Sequence, residues 1–297
     1  MVKKILKKKI YGGIEGGGTK FRCVIGSDPD NIYASSEIDT KTPILTIKEL
    51  INFFSEKQSE IPQTLKIGIG CFGPLDLDPQ SKTYGYVKET PKPGWKNFDI
   101  RGELERALKI PVVIDTDVNA AAIGELIWGA GRELQNFLYA TIGTGIGVGA
   151  VINKRIFYAQ HHPEMGHMFI PLNPGERETF TGCCPYHGSC IEGLASGSAI
   201  TKRWGSQLSV LQKDHPAWRL EAEYLATFFA NLTFAFQPQK IIVGGGVMNN
   251  YLLSLTKEIL SQKIADYSNT NSDNYLVHPQ LGNKSGVMGA VALARNL

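Results

Sequence analysis

Glycine-rich turns that end three separate apolar runs constrain this chain more than any other feature, because each needs backbone conformations and close approaches that other residues resist. The first run, Tyr11-Gly-Gly-Ile-Glu15-Gly16-Gly17-Gly18-Thr19-Lys20-Phe-Arg-Cys-Val-Ile, reads as two short strands joined by a tight turn. The second, Leu138-Tyr-Ala-Thr-Ile-Gly143-Thr144-Gly145-Ile-Gly147-Val-Gly149-Ala-Val-Ile, repeats that grammar of strand, turn with a threonine, and strand. The third, Lys240-Ile-Ile-Val-Gly244-Gly245-Gly246-Val247, is a strand running into a turn. Two like hairpins predict an internal duplication. Such turns expose amide N–H groups that can hold phosphate oxygens. They are read as two phosphate clamps, at Gly17, Gly18, Thr19 and Lys20 and at Thr144 and Gly145, with an adenosine seat at Gly244, Gly245 and Gly246. Gly143-Thr-Gly145-Ile-Gly147 imitates a dinucleotide fingerprint, yet it leads into a strand and not a helix.

Between the turns, residues 46–59 read as an amphipathic helix, and Leu65-Lys-Ile-Gly-Ile-Gly-Cys-Phe-Gly73 as a buried strand ending in a loop at substrate level. Pro111-Val-Val-Ile-Asp115-Thr116-Asp117-Val-Asn119-Ala-Ala-Ala is a strand that stops at an acidic pair and opens a small-residue helix. Asp117 then lies at the carboxyl edge of a strand, where open α/β sheets bind ligands, although Asp also serves well as a helix N-cap. Helices over 196–210 and 217–236, and from Gly286 to Asn296, complete an α/β pattern.

Pro163-Glu164-Met165-Gly166-His167, followed by Cys183-Cys184-Pro-Tyr-His187-Gly-Ser-Cys190-Ile-Glu192, supplies a lone imidazole and a C-x2-H-x2-C knuckle. Four such donors make a closed tetrahedral Zn2+ site with no position left for chemistry, so the metal expected is structural. Either Cys183 or Cys184 can serve; Cys184 gives the symmetric spacing with His187 and Cys190. Glu164 and Glu192 flank the knuckle and are left over for a polar, hydroxyl-rich ligand. Cys23 and Cys71 sit singly in apolar runs and read as small buried hydrophobes, so no disulfide framework is expected.

A hydrophobic share of 42 %, a charged share of 20 % and a net charge of +3 describe an ordinary globular chain without the basic stripe that nucleic acid requires. Lys3, Lys4, Lys7, Lys8 and Lys9 form the exception, read as a solvated leader because no apolar signal core follows. No apolar run approaches the roughly 20 residues of a membrane span. With its free thiols, the chain is expected in the cytoplasm.

Together the glycine turns, Asp117-Val-Asn119-Ala-Ala-Ala, Glu164-Met-Gly-His167, the cysteine knuckle with Glu192-Gly and Gly244-Gly-Gly-Val resemble the ROK family of sugar kinases, over nearly the whole chain. The resemblance implies an actin-like ATPase fold, a duplicated ribonuclease H-like α/β architecture with two domains around a cleft. Its expected parts are a small domain over 1–116 with helix 286–297 crossing back, and a large domain over 117–285 carrying a zinc loop at 164–192. It implies ATP with Mg2+ as phosphoryl donor, a hexose as acceptor, and a homodimer, with candidate interface helices after the knuckle. By position, Asp117 matches the general base, and Thr116, Glu164, His167, Glu192 and Gly73 match sugar contacts. His167, Cys184, His187 and Cys190 match the zinc ligands.

Within the family the chain looks most like the bacterial zinc-containing fructokinases, by Ile14-Glu15, Asp115-Thr116-Asp117 and Cys-Pro-Tyr-His-Gly. The implied reaction is phosphorylation of D-fructose at the 6-hydroxyl. Glucokinase or mannokinase activity, or a non-catalytic sugar sensor, are the alternatives. Thr116 stands where glucokinases place Asn, which removes a polar contact for glucose. Pro91-Lys-Pro-Gly-Trp95 is read either as a loop near the sugar or as a rigid surface turn. DNA binding of the kind seen in the family's repressors is not expected, since only about ten residues precede the first strand.

Overall fold

The structure is a computed structural model that describes residues 9–60, 66–176, 179–268 and 274–296. The leader expectation for Lys3 to Lys8 therefore lies outside the described residues. In chain order the first elements are β1 (Tyr11–Gly16), β2 (Lys20–Asp28), β3 (Asn31–Asp39), α1 (Pro43–Glu60), β4 (Ile67–Cys71), β5 (Tyr86–Val87), β6 (Phe98–Asp99), α2 (Ile100–Leu108), β7 (Val112–Thr116) and α3 (Asp117–Trp128). Then follow β8 (Phe137–Ile142), β9 (Ile146–Ile152), β10 (Arg155–Ile156), α4 (Ile191–Ala195), α5 (Gly197–Trp204), α6 (Pro216–Phe236), β11 (Lys240–Gly244), α7 (Asn250–Ile264), β12 (Leu276–Val277) and α8 (Ser285–Asn296). The chain divides into two compact units. Unit 1 runs to Arg132 and includes Tyr158–His162 and the stretch from Lys284; unit 2 comprises Glu133–Phe157 and Pro163–Asn283.

The sheet of unit 1 has the order β3-β2-β1-β4-β7, with β1, β2 and β3 antiparallel and β4 and β7 parallel to β1. β4 is buried at all five positions, as a central parallel strand covered on both faces must be, which explains its uninterrupted small and apolar sequence. α1 lays Ile47, Leu50 and Phe54, spaced for one helical face, into this core. α8 packs on β1, β4 and α3. The α3 approach is so close that a Cβ on Gly289 would stand 1.6 Å from the Ala120 carbonyl oxygen. This packing explains why the domain boundary expected after Thr116 falls at Arg132 instead. α3 is buried from Val118 to Glu125 and belongs with α8, not with the chain that follows it.

Unit 2 repeats the plan. Its sheet has the order β10-β9-β8-β11-β12, again three antiparallel strands followed by two parallel ones. The duplication read from the two glycine hairpins is thus present in strand order and direction. α6 begins at Pro216, where the missing N–H costs nothing, and fills the core with Leu225, Phe228, Phe229 and Leu232. The helix expected over 196–210 is shorter: α5 stops at Trp204 because Gly205 adopts φ +70°, and a separate 3-10 turn covers Leu208–Val210. Unit 2 also holds a buried ionic cluster. Arg203 on α5 pairs with Glu176 at 2.5 Å and donates to the Leu194 carbonyl at 2.7 Å, while the Tyr224 hydroxyl donates to Glu176.

Candidate active site

In unit 1, β1 and β2 close on the first glycine turn through Gly17 N donating to Lys20 O at 2.8 Å, which leaves Gly18 and Thr19 exposed at its tip. Thr40 secures the turn from outside, its N–H donating to Thr19 O at 2.9 Å and its hydroxyl to Gly17 O at 3.0 Å. Lys20 points along the sheet, where its ammonium pairs with Glu37 at 2.5 Å. A phosphate role for Lys20 requires it to leave that partner. Glu37 also accepts from Arg22.

Asp117 opens α3 at the carboxyl end of β7. It is not the helix cap: Thr116 is, with its Oγ1 accepting from Asn119 N at 3.2 Å. The Asp117 carboxylate is therefore spared that task and accepts from Val118 N at 2.9 Å. Burial raises its pKa from the ordinary aspartate value, opposed by the Val118 bond and the charge of Lys92. Thr116 is 3 % exposed, and its hydroxyl oxygen is occupied by the cap. Asp115 is wholly structural, accepting from Thr116 N at 2.7 Å, Asn119 Nδ2 at 2.8 Å and the Tyr158 hydroxyl. Gly73 follows β4 and joins Pro74 through a cis peptide bond.

Two residues of this unit escaped the sequence reading as site groups. Glu15, near the end of β1, is pushed up to about 7 by burial, with Arg22 opposing and Asp117 reinforcing the shift. Lys92 is the cation whose charge reaches Asp117. Their sequence signals were coarser: Glu15 entered only as a marker of the family branch, and Lys92 only as part of a loop read either as near the sugar or as a surface turn.

In unit 2, the second turn packs against the start of α5 and against the third turn. Gly197 N donates to Gly143 O at 2.7 Å, Ser198 Oγ to Thr144 O at 2.8 Å, and Val247 N to Ile142 O at 3.0 Å. Thr144, Gly245 and Gly246 are exposed there, and Gly244 ends β11 in the interior. Glu192, in the first turn of α4, sends its carboxylate under the second turn and accepts from Ile146 N at 3.0 Å. Glu164 is exposed and directly precedes the 3-10 turn Met165–His167.

His167, Cys184, His187 and Cys190 bring their donor atoms within 4.8 Å of one another. Bond lengths of about 2.3 Å to sulfur and about 2.05 Å to nitrogen make the N···S edge of a zinc tetrahedron about 3.6 Å. The observed edges from His167 Nδ1 are 3.5 Å to Cys190 Sγ and 3.7 Å to Cys184 Sγ, and His187 Nδ1 lies 3.7 Å from Cys184 Sγ. Donor types and spacing both fit the metal. Both rings turn Nδ1 to the cluster, which leaves Nε2 of His167 available elsewhere. Cys183 stands apart, its N–H donating to Gly193 O at 2.9 Å.

Two sheets of like order, each led by a hairpin with a glycine-rich turn, define an actin-like ATPase fold. The chain belongs to the ROK family, whose sequence profile matches residues 11–297. It is 40 % identical to a fructokinase of Pediococcus pentosaceus over 96 % of this chain and 98 % of that protein. It is likewise 40 % identical to a fructokinase of Zymomonas mobilis, over 97 % of each. The crystal structure of a ROK hexokinase from Thermus thermophilus superposes with a TM-score of 0.76 at 25 % identity, covering 97 % of this chain and 98 % of that one.

Proposed function

We propose that the protein is an ATP-dependent sugar kinase that phosphorylates D-fructose at its 6-hydroxyl. The observation that carries this reading is Asp117, a carboxylate at the carboxyl end of a parallel strand, released from capping by Thr116 and so free to accept a proton. Asp117 accepts the hydroxyl proton as that oxygen bonds the γ-phosphorus. The bond from phosphorus to the β–γ bridging oxygen breaks, and its electron pair leaves with ADP. The exposed Gly18–Thr19 tip offers amides to the phosphates. Mg2+ supplies charge neutralisation across the phosphate oxygens.

In unit 2, Glu164, His167 and Glu192 serve as ligands for sugar hydroxyls, with Nε2 of His167 donating once Nδ1 holds zinc. Zinc held by His167, Cys184, His187 and Cys190 would be structural, and Cys190, two residues before Glu192, would keep that carboxylate in register with the second turn. The choice of fructose rests on the relatives bearing that name and on Thr116, whose capped hydroxyl replaces no amide contact.

Steady-state ADP release with ATP and Mg2+, with fructose, mannose, glucose and N-acetylmannosamine offered separately, tests the reading. Fructose is expected to give the highest kcat/KM, and Asp117→Asn to lower kcat by about 10²–10⁴-fold. Highest turnover with glucose or mannose would reassign the sugar. Sugar binding without turnover would replace the kinase by a sensor.

A further inference from the structure

One loop of unit 1 holds a positive charge in an unusual place. In Pro91-Lys92-Pro93-Gly94-Trp95, Trp95 N donates to Lys92 O at 3.2 Å and closes a turn around Pro93 and Gly94. Gly94 has φ +80°, the left-handed value that the residue after proline takes in a type II turn. Trp95 pins the turn to the core: it is 1 % exposed, stacks on Phe21 at 5.5 Å and meets Phe72 edge-on at 5.2 Å. Its Nε1 donates to Lys41 O at 3.0 Å.

Lys92 stands at the first position of this fixed turn and is half-buried. Its Nζ lies 4.2 Å from the centre of the Phe72 ring and 3.4 Å from the point where a Cβ on Gly18 would stand. Gly18 is the exposed tip of the first glycine turn. The nearby lysines of the same stretch are neutralised, Lys88 by Asp76 at 3.2 Å and Lys96 by Glu89 at 2.8 Å. Among the described residues, no ion pair involves Lys92. A long flexible side chain ordinarily keeps its ammonium in water, since ordering it costs rotamer entropy. Here an aromatic face and a rigid turn hold the charge between the amides of the Gly18 tip and the side of the sheet where Asp117 stands.

We propose that Lys92 is a catalytic residue, its ammonium meeting the γ-phosphoryl oxygens as that group leaves the Gly18 turn for the acceptor oxygen served by Asp117. The inference rests on the kinase reading above. Lys92 stays protonated throughout; the bonds made and broken are those already given, and the proton goes to Asp117. Its contribution is charge. The transferring group spreads negative charge over its equatorial oxygens, and a preorganised cation there needs no reorganisation during the reaction.

The test compares wild type, Lys92→Met and Lys92→Arg by calorimetric binding of Mg·ATP and Mg·ADP without sugar, then by kcat with fructose. Lys92→Met should keep ADP affinity within about twofold and weaken ATP at least about tenfold. Its kcat should fall about 10²-fold, with the sugar KM little changed and Lys92→Arg recovering most of the loss. An unchanged ATP-over-ADP preference in Lys92→Met, or an equal loss of both nucleotides, overturns the proposal. Wild type without turnover on any hexose removes the kinase reading and with it the catalytic role of Lys92, whereas turnover in wild type with an unchanged ATP-over-ADP preference in Lys92→Met removes the Lys92 proposal alone.

Discussion

Asp115, Thr116 and Asp117 are consecutive, yet the fold gives them three different tasks: an internal clamp, a helix cap and an open carboxylate. Sequence marked Asp117 because its strand-to-helix position is local information. It left open whether Asp117 itself caps the helix; Thr116, which takes that task, was read only as a sugar contact, because both residue types cap helices well and only the backbone angles separate them. Glu15 and Lys92 were harder to read. Their significance depends on burial and on neighbours tens of residues away, which no spacing encodes. Glu15 carries a prediction. Its native carboxyl titrates near 7 against 4.5 for the ordinary value, so the native state binds more protons than the unfolded chain between these limits. Stability from this group is full below the unfolded value and is lost as pH rises through 7. Glu15→Gln removes the titration. Urea unfolding at pH 5 and pH 8 should show wild type losing about 2–3 kcal/mol more than the variant across that interval; parallel losses would mean that Glu15 is not raised.

The elements legible from sequence are those that carry their own punctuation. Both glycine hairpins, the buried strand before Gly73, α6 and the last helix lie where their turns and apolar runs place them. β3, α2 and α7 were not singled out. β3 alternates exposed and half-buried residues at the edge of its sheet, and a strand of that composition has little apolar signal apart from its partner β2. The knuckle was legible in chemistry and open in one atom, Cys183 or Cys184. The hairpin from Cys184 to Gly188 favours Cys184, because Cys184 N donates to Gly188 O at 3.3 Å, Gly188 N returns to Cys184 O at 3.0 Å, and Cys184 Sγ lies 3.7 Å from Nδ1 of both His167 and His187. Elemental analysis should find one zinc per chain in wild type and in Cys183→Ser, and little in Cys184→Ser. The opposite pattern for the two cysteines would exclude the four-ligand set argued above.

At the scale of the whole molecule, duplication gives each unit its own sheet and its own core. One core is built around Phe21, Phe54 and Trp95, the other around Leu138 and Ile142 on β8 with Phe228 and Phe229 on α6. The sequence showed the repeat but misplaced the boundary, because α3 is contiguous with β7 in either reading and only its packing on α8 decides to which unit it belongs. Separate cores permit lesions that report on one unit each. Gly289→Ala forces a methyl group against a backbone oxygen that cannot swing aside, an overpacking worth at least about 2–3 kcal/mol to unit 1. Cys184→Ser removes one of the four donors of the candidate metal cluster in unit 2. Trp95 and Trp128 report on unit 1, and Trp204 and Trp218 on unit 2. In equilibrium denaturation of chains that keep only one such pair of tryptophans, Gly289→Ala should lower the midpoint seen by the first pair, and Cys184→Ser that seen by the second. If each lesion instead moves both signals together, the units unfold as one cooperative body, and the two cores are partners in a single transition despite their separate packing.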